Sequence, residues 1–127
     1  TEQIHVSRGN IFGYTASVAA YQNGASWVDQ LMQYVNRNFE FLASFLESEL
    51  PQIGIAEMEA TYLAWIDFGK TGLSDKEIIR KLIFEAGLGL SPGTIFGQGG
   101  QGFQRMNLAA PFKTIETACE KLKKAFG

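Results

Sequence analysis

Arg105 is the residue of this chain best placed to do chemistry. It sits in the run Gly97-Gln98-Gly99-Gly100-Gln101-Gly102-Phe103-Gln104-Arg105-Met106-Asn107-Leu108-Ala109-Ala110-Pro111, where a mobile, glycine-dense loop enters a short strand. Side chains on a strand alternate between faces. Phe103, Arg105, Asn107 and Ala109 therefore share one face, and Gln104, Met106, Leu108 and Ala110 form the more apolar face that points to a core. A guanidinium on a rigid strand can hold a carboxylate through two parallel hydrogen bonds, which fixes orientation as well as charge. Spacing alone equally admits a surface arginine on an edge strand, the commoner situation for this residue type. Gly97, Gly99 and Gly102 spell G-x-G-x-x-G, but dinucleotide binding needs a strand before the loop and a helix after it. Here Ser91-Pro92-Gly93 precedes the loop and a strand follows, which excludes that fold. No Gly-Lys-Ser/Thr follows either, so there is no Walker A motif.

Other reactive groups are sparse. His5 is the only histidine, has no cysteine or carboxylate at ligand spacing, and is a poor metal candidate. Cys119 falls on an apolar stripe and reads as a structural thiol. No set of nucleophile, base and stabiliser can be assembled, so no catalytic residue is assigned within the chain.

The elements that must position Arg105 follow from periodicity. A short helix over 12–22 carries Phe12, Thr15, Ala16, Ala19 and Ala20 on one face, and Asn23-Gly24 stops it by tolerating a left-handed conformation. Ser26 and Asp29 make a capping-box-like start to the longest helix. Val28, Leu31, Met32, Val35, Phe39, Leu42 and Leu46 keep its helical period until Pro51. A second stripe, Trp27, Tyr34, Phe41 and Phe45, implies either deep burial or a further partner. Residues 53–57 and 61–68 read as strands. The second has Tyr62, Ala64, Ile66 and Phe68 on one face and Leu63, Trp65 and Asp67 on the other; both faces are mostly apolar, which makes it central. Ser74 and Glu77 form a capping box for a helix whose buried face is Ile78, Ile79, Leu82, Ile83 and Ala86, closed by Gly87. Residues 88–90 read as a short strand. Thr114 caps a last helix with the stripe Ile115, Ala118, Cys119, Leu122 and Phe126, and Lys121, Lys123 and Lys124 on its solvated side. The sum is an α+β fold: a small, mostly antiparallel sheet with packed helices, preceded by a long helix.

At 127 residues, with 46% hydrophobic and 19% charged content, the chain can build one real core. A net charge of −2 without a basic block gives no footprint for nucleic acid. No apolar run is long enough for a membrane span. One cysteine makes no internal disulfide and is compatible with a cytoplasmic protein. Thr1, in place of Met, points to a piece of a longer protein.

Three stretches carry a resemblance. Gly89-Leu90-Ser91-Pro92-Gly93 through Phe96-Gly97 to Arg105-Met106-Asn107-Leu108-Ala109-Ala110-Pro111, the strand Ala60-Thr61-Tyr62-Leu63-Ala64-Trp65-Ile66-Asp67, and Asn10-Ile11-Phe12-Gly13 before an alanine-rich helix together resemble the C-terminal part of fold-type I, class I/II pyridoxal-phosphate enzymes. Within these the chain is most similar to the MalY/PatB branch of cystathionine β-lyases. The Arg-x-Asn-x-Ala-x-Pro ending at Arg105, Asn107, Ala109 and Pro111 is the most specific part. The resemblance implies a C–S lyase or aminotransferase in which Arg105 clamps the substrate's α-carboxylate, Thr61 and Tyr62 approach the substrate pocket, and Asn10 lies in a lead-in that passes close to the neighbouring subunit's active site. It implies that residues 1–24 end a large domain and that 25–127 form the small C-terminal domain with its linking helix. The pyridoxal phosphate, its lysine and its phosphate site would lie in the large domain, with no cofactor bound by this segment alone. The implied partners are that domain, an amino-acid substrate and a second copy of the chain in a homodimer. A stand-alone carboxylate-binding module, or a dimerisation module without catalysis, remains the alternative.

Overall fold

Two five-residue stretches with alternating burial, Leu63–Asp67 (β2) and Phe103–Asn107 (β4), pair antiparallel at the centre of a sheet. The computed structural model describes residues 9–127, so His5 lies outside the described residues. The chain divides into two compact units, one ending at Tyr34 and one beginning at Val35.

In the first unit, α1 spans Ile11–Asn23 and starts at Asn10, whose side-chain oxygen accepts from the Gly13 N–H at 2.8 Å. None of its residues is buried, so the expected Phe12 and alanine face lies open, with Phe12 82% exposed. Gly24 ends α1, but not for the expected reason. Its φ of −89° is right-handed. A Cβ there would come within 2.5 Å of the Ala20 carbonyl oxygen, so close backbone approach is what requires glycine. The next helix, α2 (Ala25–Glu49), follows at once. The Val28 N–H donates to Gly24 O, which places Gly24 at the cap and Ser26 inside the first turn, contrary to the expected Ser26–Asp29 start.

The second unit holds the sheet, in the order β1-β2-β4-β3, all antiparallel, where β1 is Gly54–Ile55 and β3 is Ser91–Pro92. As the two apolar faces of its sequence required, β2 is interior. The third strand is displaced from the expected 88–90 to Ser91–Pro92. Proline lacks a donor, and an edge strand tolerates that. Ala64, Ile66, Met106 and Leu108 share the buried face with Val35, Leu42 and Leu46 of α2 and with Ile115, Cys119 and Leu122 of α4 (Phe112–Phe126). Phe41 of the second α2 stripe meets Phe112 edge-on at 4.9 Å, so that part of the stripe packs within the unit. α4 begins after Pro111, whose carbonyl accepts from Thr114 N–H; Thr114 is inside the helix and not its cap.

The third helix, α3 (Asp75–Arg80), carries the complete Ser74–Glu77 capping box. It widens into a π turn over Lys81–Glu85, with the Ala86 N–H donating to Lys81 O. The wider turn keeps Ile78, Leu82 and Ala86 in line and buried. Ile83, expected on the buried face, lies within this turn and is 49% exposed. Gly87, at φ 62°, then reverses the chain, and Leu88 N–H caps Leu82 O at 2.7 Å.

One polar residue interrupts the core stripe of α2. Asn38 is fully buried, and its amide nitrogen donates to Leu108 O at 2.9 Å and to Ala110 O at 3.0 Å. It ties the helix to the chain leaving β4. Asn38→Ala would strand both carbonyls in the core. A loss of about 2–3 kcal/mol is expected, read as a lower urea midpoint at unchanged m. The capping box makes a second, pH-dependent prediction. The Ser74 hydroxyl, then the Ser74 backbone N–H, hold the Glu77 carboxyl below its ordinary 4.5. A depressed folded pKa stabilises above the unfolded value and the benefit is lost as pH falls through the folded one. The stability gap between the native chain and Ser74→Ala should therefore shrink as acid unfolding scans are moved below pH 4.5.

Candidate functional site

Arg105 lies in the middle of the sheet and not at its edge. The β2–β4 register sets it directly across from Trp65, and the β3–β4 register sets Ser91 on its other side. Burial alternates along β4 as the sequence requires, with Gln104 and Met106 inside and Phe103 and Arg105 half-buried on the opposite face.

From Pro92 the chain makes one 3₁₀ turn over Gly93–Phe96. That turn delivers the Phe96 ring edge-on to Trp65 at 5.4 Å and beneath the Arg105 guanidinium, whose Cζ lies 4.3 Å from the ring centroid. Phe103, on the same strand face as Arg105, also meets Trp65, at 6.2 Å. The glycine run is what lets the turn sit there. A Cβ on Gly93 would collide with the Gly100 carbonyl, and one on Gly100 would collide with that of Gly93. At its far end Gly102 takes φ 79° and donates its N–H to Asp75 Oδ1 at 2.9 Å, which roots the loop on the start of α3. The loop is thus followed by a strand and built for backbone contact, as the exclusion of a dinucleotide site requires.

Arg105 lines a cleft of about 310 Å³ whose other walls are Leu63, Trp65 and the segment 56–61, including Glu57, Glu59 and Thr61. A second cleft of about 310 Å³ lies between Trp65, Phe96, Phe103 and glycines 97, 99 and 100, so the Trp65 ring stands between the two. Among the described residues no carboxylate forms an ion pair with Arg105. Its five N–H donors and its charge are available to an anion entering the first cleft.

The other site residues expected from the sequence divide. Thr61 lines the Arg105 cleft and holds φ 67°, a strained value for a β-branched residue, with its Oγ1 accepting from Leu63 N–H at 3.3 Å. Tyr62 is 44% exposed and does not line that cleft; its backbone carbonyl accepts from Leu108 N–H. Asn10 belongs to the first unit, where its side chain caps α1. Asn107 shares the face of Arg105 but turns its oxygen back to the Ala109 N–H at 2.8 Å, shaping the exit from the strand. Phe96 and Trp65 had no place in the sequence reading of the site. An aromatic immediately before the glycine run was the available signal for Phe96. The pairing of Trp65 with Arg105 carried none.

Three of the lysines are engaged in ion pairs. Lys81 pairs with Glu85 at 3.0 Å, Lys113 with Glu116 at 2.6 Å and Lys123 with Glu49 at 2.5 Å. Hydrogen bonds to those carboxylates raise the pKa of Lys113 and of Lys123, the opposite of what a nucleophilic amine needs. No group of three metal-ligating side chains occurs among the described residues, and none of the described helices is long and apolar enough to cross a membrane.

This fold, a small antiparallel sheet with packed helices, is that of pyridoxal-phosphate-dependent transferases. Treponema denticola cystalysin, solved with a pyridoxal 5'-phosphate cofactor, superposes with a TM-score of 0.88 at 35% identity, over 91% of this chain and 29% of that one. Cystathionine β-lyase PatB of Bacillus subtilis is 37% identical over 116 residues, 91% of this chain and 30% of PatB. Protein MalY of Escherichia coli is 32% identical over 111 residues, 87% and 28% of the two chains. Residues 4–122 match the family described as aminotransferase class I and II. The chain belongs to that family, in the branch of PatB and MalY. It spans about a third or less of the length of these relatives.

Cys119 is wholly buried on α4, and burial pushes its thiol up to about 12. A raised value keeps the group neutral through the physiological range. At pH 8 the thiolate fraction would be on the order of one in ten thousand. Ellman's reagent should therefore label Cys119 only as the domain opens, with full labelling in denaturant; fast labelling of the native chain would contradict its burial.

Proposed function

We propose that this chain is the C-terminal domain of a pyridoxal-phosphate-dependent C–S lyase or aminotransferase, and that Arg105 receives the substrate's α-carboxylate. The observation that carries the proposal is the state of the guanidinium. It is half-buried on an interior strand, set over an aromatic ring, without an ion-pair partner among the described residues and open to a cleft. A two-pronged grip on one carboxylate fixes the amino acid's orientation, and orientation of that kind can lower a barrier by several kcal/mol.

The residues present do not fit covalent attachment of pyridoxal phosphate. Three lysines are held in ion pairs, and Lys70, Lys76, Lys121 and Lys124 stand on turns or helix faces away from the Arg105 cleft. We therefore assign the cofactor to a large domain of the same protein, where it supplies the electron sink for breaking the substrate's Cα–H bond. On this reading residues 1–24 close the large domain and residues 25–127 form the small one. Thr61 borders the carboxylate, and Asn10 and Tyr62 take outer positions. A second copy completes a homodimer, and the lone cysteine agrees with a cytoplasmic enzyme. The exposed Ile11, Phe12 and Tyr21 of α1 favour a second reading, a dimerisation module without catalysis.

Kinetics of the full-length protein separate these readings. Arg105→Lys should raise KM and lower kcat/KM by roughly 10- to 100-fold, because an ammonium keeps the charge and loses the fork; unaltered kinetics would remove the assignment. The segment 1–127 alone, mixed with pyridoxal phosphate and borohydride, should yield no adduct at one defined lysine. A single trapped site would place cofactor chemistry in this chain.

A further inference from the structure

We propose that Phe96 is a positioning residue for Arg105, and that its ring fixes the guanidinium so that a carboxylate finds a preset fork. The inference rests on the reading of Arg105 as the carboxylate clamp. A guanidinium has two separable surfaces. Its face carries the attraction to an aromatic ring, and its edge carries the N–H donors. Cζ lies 4.3 Å over the Phe96 ring centroid, and a guanidinium laid flat on that ring would leave its edge free. Stacking and carboxylate binding are therefore additive here, where an internal ion pair would compete with the ligand. An ammonium has no face to offer, so the arrangement selects Arg over Lys for a second reason besides the fork.

The ring is itself held. Trp65 meets it edge-on at 5.4 Å, and Trp65 is the cross-strand neighbour of Arg105, so ring and cation are referenced to one register position. The 3₁₀ turn that bears Phe96 is fixed by the backbone contact of Gly93 with Gly100. Arginine has many rotamers, and ordering it only when ligand arrives would weaken binding. Phe96 orders it beforehand, and the glycine run acts on the site by placing Phe96.

The test uses the full-length enzyme with Phe96→Leu, Phe96→Tyr and Arg105→Ala. Two competitive inhibitors are compared: L-alanine, and ethylamine, its counterpart without the carboxylate. Phe96→Leu should raise KM and the L-alanine Ki roughly three- to tenfold, the range of a partly desolvated cation–π contact. It should leave kcat and the ethylamine Ki within about twofold, and Phe96→Tyr, which keeps the ring face, should stay near wild type. The proposal is overturned if Phe96→Leu leaves the L-alanine Ki unchanged, if ethylamine is weakened equally, or if Phe96→Tyr is as impaired as Phe96→Leu. Arg105→Ala separates the two layers. If it fails to abolish the preference for L-alanine over ethylamine, the carboxylate reading itself falls. If it abolishes the preference and Phe96→Leu does not diminish it, the positioning role alone falls.

Discussion

The register of β2 against β4 is the constraint on which the rest depends. Five residue pairs, from Leu63 with Asn107 to Asp67 with Phe103, put Ala64, Ile66, Gln104 and Met106 on the core face and Trp65 and Arg105 together on the other. A slip of one residue would exchange the faces, carrying a guanidinium into the core and a methionine out of it. The apolar residues on the inner face thus lock the cation on the outer one. Asn38 strengthens the lock from the helix side, since its bonds to Leu108 and Ala110 hold the chain leaving β4.

The glycine run has a role that its spelling does not suggest. Gly97, Gly99 and Gly102 adopt positive φ, but the tightest demand falls on Gly93 and Gly100, where two backbones touch. That contact closes the turn that brings Phe96 under Arg105. Glycine density in this chain serves the approach of main chain to main chain, and through it the setting of a ring. The phosphate-cradling role of similar-looking runs needs a helix after the loop, and here the loop runs straight into β4.

Family membership bears on how the Arg105 cleft is read. The chain matches about 30% of PatB, and its cleft sets Arg105 beside Glu57, Glu59 and Thr61. On the proposed reading, a cation on this chain would face chemistry on another domain, separating the orienting of a substrate from its activation. Such a division would ask this chain for rigidity, and interior strands, a buried asparagine and the Arg105–Phe96 contact supply it.

Much of this was legible in the amino-acid order. Alternation at 103–108 assigned Arg105 to the outer face, the two-sided apolar pattern made β2 interior, and Ser74 with Glu77 marked the start of α3. These are local properties, governed by side-chain period and by bonds spanning three or four residues. The misplaced features are those in which distant chain decides local form. Ile83 was expected inside and lies exposed within a π turn; the strand expected at 88–90 lies at Ser91–Pro92; Gly24 and Pro111 replaced Ser26 and Thr114 at helix starts. The polar Asn38 on an apolar stripe finds its partners 70 and 72 residues away. By itself the sequence determined the main helices and the two central strands, which of their faces are apolar and which strand face bears the cation, because those follow from periodicity along the chain. Only the tertiary structure decided that Phe96 and Trp65 surround Arg105 and that, among the described residues, no carboxylate pairs with it, because such contacts depend on cross-strand register and on the path of a loop closed by backbone contact.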